Sequence, residues 1–196
     1  MPSQLLGRVR SVQWSDFLAP PPPNSQNHAH IETDFNLAYT YASGPGGVQL
    51  NDNVTVTIRL HQNRSWAKKQ IINSWPSQAR QDLLRHEQGH YDITALMGRD
   101  LFIDVMALKP QSFSNLPALQ TALQTIRQRF NPQPIHDKYD HSQETNHGQN
   151  ALKQTAWNQY IQTAFTSPRT PAAHAPDGSV YKVRLLDVLR TAGKLP

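Results

Sequence analysis

The strongest constraint on the fold is a helical pattern over residues 77–109. Pro76 favours a helix start just after it, and Pro110 ends the pattern because proline cannot continue a helix. At about 100° per residue, the side chains suited to burial form one stripe about 80° wide. These side chains are Leu83, His86, His90, Ile93, Met97 and Leu101. The sequence therefore predicts one long amphipathic helix that buries two histidines.

The two histidines belong to the segment RHEQGHYD, residues 85–92. Positions i and i+4 of a helix lie one turn apart on the same face, so His86 and His90 can bind one small cation. Two such ligands are half of a tetrahedral zinc site, and Glu87 is placed to reach a water molecule in the open position. The pattern is typical of zinc peptidases. In these enzymes metal-activated water attacks a peptide carbonyl and the carboxylate is the general base.

Other interpretations of the same residues stay open. His86 and His90 can be core histidines satisfied by neighbours, although each buried polar group left unpaired costs about 1–3 kcal/mol and a metal would satisfy them together. Gly89 favours a close approach to the helix, by a ligand or by a packed element, because glycine in mid-helix costs about 1 kcal/mol relative to alanine. A non-catalytic zinc module is the alternative function, and it predicts a side chain instead of water as the fourth ligand.

A catalytic zinc usually has three protein ligands, so the helix alone leaves the site incomplete. The chain has no cysteine, which restricts the third ligand to histidine, aspartate or glutamate. The segment HDKYDHSQETNHG, residues 136–148, has the most candidates. His147 is the preferred ligand because it is predicted to begin a helix that packs against the motif helix. Asp140 and Glu144 are the alternatives.

The same segment contains a candidate catalytic tyrosine and two further histidines. Tyr139 is predicted to donate a hydrogen bond to the developing oxyanion, although an ordinary surface tyrosine explains it equally well. His136 and His141 are predicted to be solvated loop residues.

The order of the remaining elements predicts an α+β fold. Residues 30–41 and 48–60 are rich in β-branched and aromatic side chains and predict a β-hairpin with a glycine-rich turn. Shorter helices are predicted over 115–130 and 146–165, with a polar loop between them. The expected architecture is an N-terminal antiparallel hairpin, a long HExxH helix and two further helices, as in zincins. Residues 1–166 are expected to form the domain, and residues 167–196 a tail that packs on it or extends from it.

Charge and hydropathy limit the partners that are expected. The formal charge is +5, but lysine and arginine are scattered singly, so nucleic-acid binding is not predicted. No apolar run reaches the length of about 18 residues that would cross a membrane. The first 17 residues lack the apolar segment of a secretory signal. The expected partner is a peptide or protein substrate, and the oligomeric state is left open.

Three segments together resemble a bacterial family, the domain of unknown function 922. They are VQWSDFLAPPP, HEQGHYDIT and YDHSQETNHGQNALKQTAW, and the resemblance extends from about Leu6 to Trp157. The resemblance implies a bacterial zinc peptidase. Its compartment is periplasmic or extracellular if an export signal has been removed, and otherwise cytoplasmic. It also implies a motif that falls on Tyr139, Asp140, Thr145, His147 and Gly148.

Overall fold

The computed structural model describes residues 2–169 and 180–195, and in it strands precede helices. The strands are β1 (Gln4–Leu6), β2 (Ala29–His30), β3 (Thr33–Gly44), β4 (Gly47–Leu60) and β5 (Trp66–Ala67). The helices are α1 (Lys69–Ser74), α2 (Ser77–Met106), α3 (Leu116–Arg129), α4 (Gln133–Asp140), α5 (Ala151–Thr166) and α6 (Leu185–Thr191). The predicted α+β class is confirmed.

The predicted hairpin is the centre of a three-stranded sheet. β3 and β4 pair antiparallel, and β1 pairs parallel with the other side of β4, so the strand order is β1-β4-β3. Val54, Val56 and Ile58 on β4 are buried, which identifies the face of the sheet that packs on the helices. A separate two-stranded sheet pairs β2 with β5. β2 is therefore not part of the hairpin, although it directly precedes β3 in the sequence.

Helix α2 follows the predicted pattern over 30 residues. All six residues of the predicted stripe are buried: Leu83, His86, His90, Ile93, Met97 and Leu101. Gly98 lies against the sheet, where an added Cβ would be 3.3 Å from the Ile58 side chain. This close packing joins α2 to the hairpin.

The number of helices after α2 was predicted incorrectly. The described residues contain four such helices instead of two, and α5 begins at Ala151, later than the predicted residue 146. Helix α4 occupies the segment that was predicted to be a polar loop. The sequence NPQP at 131–134 follows the end of α3, as predicted, but it also begins α4, because proline is compatible with the first turn of a helix. Ile135 and Tyr139, four residues apart, then bury one face of α4.

The described part of the predicted tail packs on the helices. On α6, Leu185 and Leu189 are fully buried. The backbone N–H of Leu185 donates to the Asp100 carboxylate at 3.2 Å, and Arg99 donates to the carbonyl oxygen of Val183 at 2.9 Å. Residues 180–195 are thereby joined to α2. A domain boundary at residue 166 stays a prediction, and residues 170–179 lie outside the described part of the chain.

Within residues 2–169 and 180–195, none of the helices combines the length and the apolar composition needed to span a bilayer.

Candidate metal centre

Helices α2 and α4 bring three metal-ligating atoms together. His86 Nε2 and His90 Nε2 each lie 3.0 Å from the same atom, Asp140 Oδ1. Zinc bonds of about 2.0–2.2 Å place neighbouring ligands of a tetrahedron about 3.3 Å apart, close to this spacing. Asp140 Oδ1 is buried and makes no hydrogen bond to the rest of the described chain. A cation bound to both imidazoles would satisfy this oxygen, so the three residues could hold a metal ion.

The charges of the group suit a cation. Burial alone would raise the pKa of Asp140, but contacts with His86 and His90 outweigh it and hold that pKa well below its usual range. Burial lowers the pKa of His86, yet Asp140 and Glu87 together raise it above its ordinary value. The site therefore contains an ionised carboxylate and a second carboxyl side chain beside the imidazoles. A divalent cation would replace the protons that these groups attract.

The third member of this group is Asp140, which was an alternative to the preferred His147. His147 Nδ1 lies 3.5 Å from Asp140 Oδ2, the outer carboxylate oxygen, and its side chain is 41% exposed. His147 precedes α5 in a turn and does not begin the helix. The geometry thus favours Asp140 as the ligand supplied from outside α2, and metal binding by His147 stays a prediction.

The turn around His147 has an unusual backbone. Asn146, His147 and Gly148 have φ angles of 49°, 51° and 80°, three successive residues in the left-handed region. Such conformations are unfavourable for residues with a side chain and persist where packing enforces them. At Gly148 the reason is clear, because a Cβ there would lie 2.9 Å from His86 Cβ. Glycine allows the turn to pack against His86 and hold His147 at the edge of the cleft.

Glu87 is buried with an exposed fraction of 2% and lines the cleft together with the two histidines. Its Oε2 accepts a hydrogen bond of 2.9 Å from the backbone N–H of Ile31, the residue that follows β2. This bond connects the motif helix to β2 and restricts the rotation of the carboxylate. Glu87 therefore has the fixed orientation that the predicted general base requires.

Gln154 on α5 determines which nitrogen of His86 carries the proton. Its side-chain N–H groups donate to Tyr139 Oη and to Asn158 Oδ1, so its Oε1 must be the atom 3.0 Å from His86 Nδ1. His86 Nδ1 consequently carries a proton and donates it to Gln154. The unprotonated Nε2 of neutral His86 then points to the metal position.

Tyr139 packs beneath the site. It is fully buried, its ring stacks on His86 at a centroid distance of 4.7 Å, and its hydroxyl donates to the His86 carbonyl oxygen. Burial raises the pKa of Tyr139. It is not among the residues that line the cleft. The predicted contact with a developing oxyanion therefore finds no support in this geometry, because the hydroxyl is enclosed by α2 and α5.

The position of Tyr139 explains Gly89. A Cβ on Gly89 would lie 2.2 Å from Tyr139 Oη, a severe overlap. Of the two explanations for a mid-helix glycine, close packing is therefore the one that the structure supports.

Glu144, the other alternative ligand, is held away from the metal position. Its carboxylate accepts hydrogen bonds from Trp157 Nε1 at 3.0 Å and from Lys194 Nζ at 2.7 Å. These contacts join the turn between α4 and α5 to the C-terminal residues. Glu144 thus has a packing role that the sequence pattern did not indicate.

The prediction that His136 is a solvated loop residue is wrong. His136 lies on α4, with Nδ1 3.0 Å from His90 Nδ1 and Nε2 3.0 Å from Thr94 Oγ1. Burial and the neighbouring His90 lower the pKa of His136 well below its usual value. The available signal was the spacing of His136 and Asp140, four residues apart, which places both on one face of a helix.

The cleft in front of the three ligands is narrow and polar. Its lining includes the segment 26–30, which contains β2, together with His147 and Gln149. Residues of α2, among them His86, Glu87 and His90, and Asp140 of α4 complete the lining.

The fold and this centre define a class: an α+β protein with a candidate metal site built from two helices. Residues 18–148 match a family described as "Bacterial protein of unknown function (DUF922)". The match covers more than half of the chain, so the chain belongs to this family, and the resemblance seen in the sequence is confirmed. The matched residues include His86, Glu87, His90, Asp140 and His147. Comparison with curated proteins and with solved structures gives no match.

Proposed function

We propose that the protein is a zinc-dependent metallopeptidase in which His86, His90 and Asp140 bind the metal. The observation that carries the proposal is the convergence of their three ligand atoms beside a buried glutamate in one cleft. Two imidazole nitrogens and one carboxylate oxygen are a donor set suited to catalytic zinc. Zinc bound there would lower the pKa of a water molecule and polarise a carbonyl group near neutral pH.

Glu87 is the general base of the proposed reaction. Its carboxylate accepts a proton from the attacking water, whose oxygen bonds to the carbonyl carbon of the substrate. The proton then passes to the amine as the C–N bond breaks, so one water is consumed for each peptide bond. The hydrogen bond from the Ile31 N–H keeps Glu87 oriented through both transfers.

The β2 edge supports a peptide substrate. Lys68 N donates to the His28 carbonyl oxygen, which places His28 and His30 in the set of residues whose backbone groups face β5. The backbone N–H and C=O of Ala29 consequently point the other way, to the side where Ile31 reaches Glu87. Ala29 lines the cleft, so its backbone can pair with an extended peptide. We therefore propose β2 as the strand edge that binds an extended substrate.

A specific observation also favours the alternative function, a closed metal-binding module. His147 lines the cleft, and its Nδ1 is already 3.5 Å from the outer oxygen of Asp140. If His147 bound the metal as a fourth ligand, it would take the position of the water molecule. A closed site of this kind is typical of structural zinc, for which Glu87 would have no catalytic use.

The substitution Glu87→Gln tests the peptidase proposal. Glutamine preserves an oxygen for the Ile31 N–H but cannot act as a base, so zinc content should stay at the wild-type level. Hydrolysis of a mixed peptide library should fall by about 10²–10⁴-fold. Glu32→Gln is the matched control, since Glu32 is a half-exposed carboxylate one residue beyond Ile31. Equal hydrolysis by Glu87→Gln and wild type would refute the enzymatic role.

The substitution His147→Ala separates the peptidase from the closed module. With three ligands from His86, His90 and Asp140, the variant should retain one zinc per chain after dialysis against a weak chelator. Loss of zinc from this variant, measured by elemental analysis, would identify His147 as a ligand and favour the non-catalytic module.

A further inference from the structure

A chain of four side chains extends from the metal centre to the sheet. His90 Nδ1 lies 3.0 Å from His136 Nδ1, and His136 Nε2 lies 3.0 Å from Thr94 Oγ1. Thr94 Oγ1 lies 2.7 Å from Thr33 Oγ1 on β3. Spacings of four residues produce this arrangement on both helices, with His86, His90 and Thr94 on α2 and His136 and Asp140 on α4. The metal ligands and the chain behind them are thus parts of the same two helices.

The hydrogen bonds of this chain can point in only two directions. In a neutral imidazole one nitrogen donates a hydrogen bond and the other accepts one. The direction of the hydrogen bond on one side of a ring therefore fixes the direction on the other side. In the first arrangement, His90 carries its proton on Nε2, 3.0 Å from the Asp140 carboxylate, and His136 donates from Nδ1 to His90. In the second, His90 Nδ1–H donates to His136, and His136 Nε2–H donates to Thr94. Only the second arrangement leaves His90 Nε2 unprotonated and able to bind a metal.

His90 differs from His86 in this respect. The amide oxygen of Gln154 can only accept, so neutral His86 carries its proton on Nδ1 and leaves Nε2 free. The partner of His90 is itself an imidazole and can either donate or accept. Without a metal, the ionised Asp140 carboxylate attracts the proton of His90 Nε2, which favours the first arrangement.

We propose that His136 is a positioning residue that selects the metal-binding tautomer of His90, and that metal binding reverses the hydrogen bonds from His90 to Thr33. Each ring keeps one proton throughout. On His90 the proton of Nε2 is replaced by one on Nδ1, and on His136 the proton of Nδ1 is replaced by one on Nε2. The inference rests on the metal centre of the proposed function but does not depend on peptidase activity.

Nitrogen-15 NMR of histidine-labelled protein tests the reversal without any substitution. The chemical shifts of the two ring nitrogens distinguish the tautomers, and a His136→Gln sample assigns the His136 signals by their loss. In metal-free protein His136 should be protonated at Nδ1, and after addition of one equivalent of zinc it should be protonated at Nε2. The same tautomer of His136 in both states would overturn the proposed reversal.

Zinc affinity tests the positioning role. His136→Phe removes the acceptor for His90 Nδ1–H, and the dissociation constant for zinc should rise by about 10–100-fold in a chelator competition assay. His136→Gln should recover most of this loss, because its amide oxygen can accept from His90 and its N–H can donate to Thr94. His141→Phe, in the exposed turn after α4, is the matched control and should bind zinc like wild type.

The outcomes separate this inference from the proposed function. Equal zinc affinity of His136→Phe and wild type would overturn the positioning role and leave the metal centre intact. Absence of zinc binding by folded wild-type protein would instead remove the metal centre itself. If His136→Phe does not fold, the NMR measurement and the zinc affinity of His136→Gln still test the positioning role. A zinc affinity of His136→Gln more than about 10-fold weaker than wild type would contradict the expected rescue.

Discussion

At the residue scale, the site depends on which side chain supplies the third ligand atom beside His86 and His90. The spacing of His86 and His90 on a helix was sufficient to predict their convergence, because one turn of helix fixes it. The third residue comes from another helix, and no spacing rule connects it to the first two. Asp140 and His147 were therefore both reasonable choices before the fold was known, and only the path of α4 distinguishes them.

The substitution Asp140→Asn should separate charge from shape at this position. Asparagine retains the size of the side chain and an oxygen near both imidazoles but removes the negative charge. We expect the zinc dissociation constant to rise at least about 10-fold, because carboxylate is a far better zinc ligand than an amide. Asp137→Asn, an exposed aspartate on the same helix, should leave the affinity unchanged. Isothermal titration calorimetry measures both, and equal affinities would exclude Asp140 as a ligand.

At the scale of elements, the two glycines of α2 allow two different close contacts. Gly89 faces the hydroxyl of Tyr139, which is itself fixed by His86 and Gln154. Gly98 faces the flexible end of the Ile58 side chain. The first contact connects α2 to the elements that support the candidate metal centre, and the second connects α2 to the sheet.

Alanine at these two positions should therefore have different effects. Gly89→Ala should lower the free energy of unfolding by about 1–3 kcal/mol despite the gain in helix propensity, because the new methyl group displaces Tyr139. It should also weaken zinc binding. Gly98→Ala has the same intrinsic gain and a milder contact, so its effect should stay within about 1 kcal/mol. Urea unfolding gives both free energies, and a neutral Gly89→Ala would contradict the packing described for Tyr139.

The helix α4 shows why part of the fold was missed. The hairpin and α2 have long periodic patterns, and both were predicted correctly. Helix α4 has eight residues and begins with prolines, so its composition resembles a helix stop followed by a polar loop. Its helical state is established by tertiary contacts, since Ile135 and Tyr139 are buried against the core. Because this segment was predicted to be a loop, His136 and Asp140 were not predicted to lie on the same face of one helix.

At the scale of the whole molecule, an ion pair joins the last described residues to the turn between α4 and α5, which contains His147. Lys194 contacts both oxygens of Glu144, at 2.9 and 2.7 Å, and both side chains are largely buried. Burial raises the pKa of Glu144, but the contacts with Lys194 and Trp157 outweigh it and lower that pKa below its usual value. This stabilisation is present above the usual pKa of a glutamate and is lost as the pH falls through the lowered pKa.

The substitution Lys194→Met should lower the free energy of unfolding by about 1–3 kcal/mol at neutral pH, because Glu144 loses its nearest cation. The difference from wild type should diminish in acid as Glu144 becomes protonated. Lys138→Met is the control, since Lys138 is 4.0 Å from the same carboxylate and 41% exposed, so its loss should cost well under about 1 kcal/mol. Thermal unfolding measured across pH 3–8 checks this prediction. A difference in stability between Lys194→Met and wild type that does not change with pH would contradict the role of the ion pair.

The residues of the candidate site predict one metal position, between α2 and α4. A crystal structure of the zinc-loaded protein, with anomalous diffraction measured at the zinc edge, locates that metal without reference to any activity. We predict one strong peak per chain, about 2.0–2.2 Å from His86 Nε2, His90 Nε2 and Asp140 Oδ1. A peak elsewhere, or none near these atoms in crystals that contain zinc, would contradict the account.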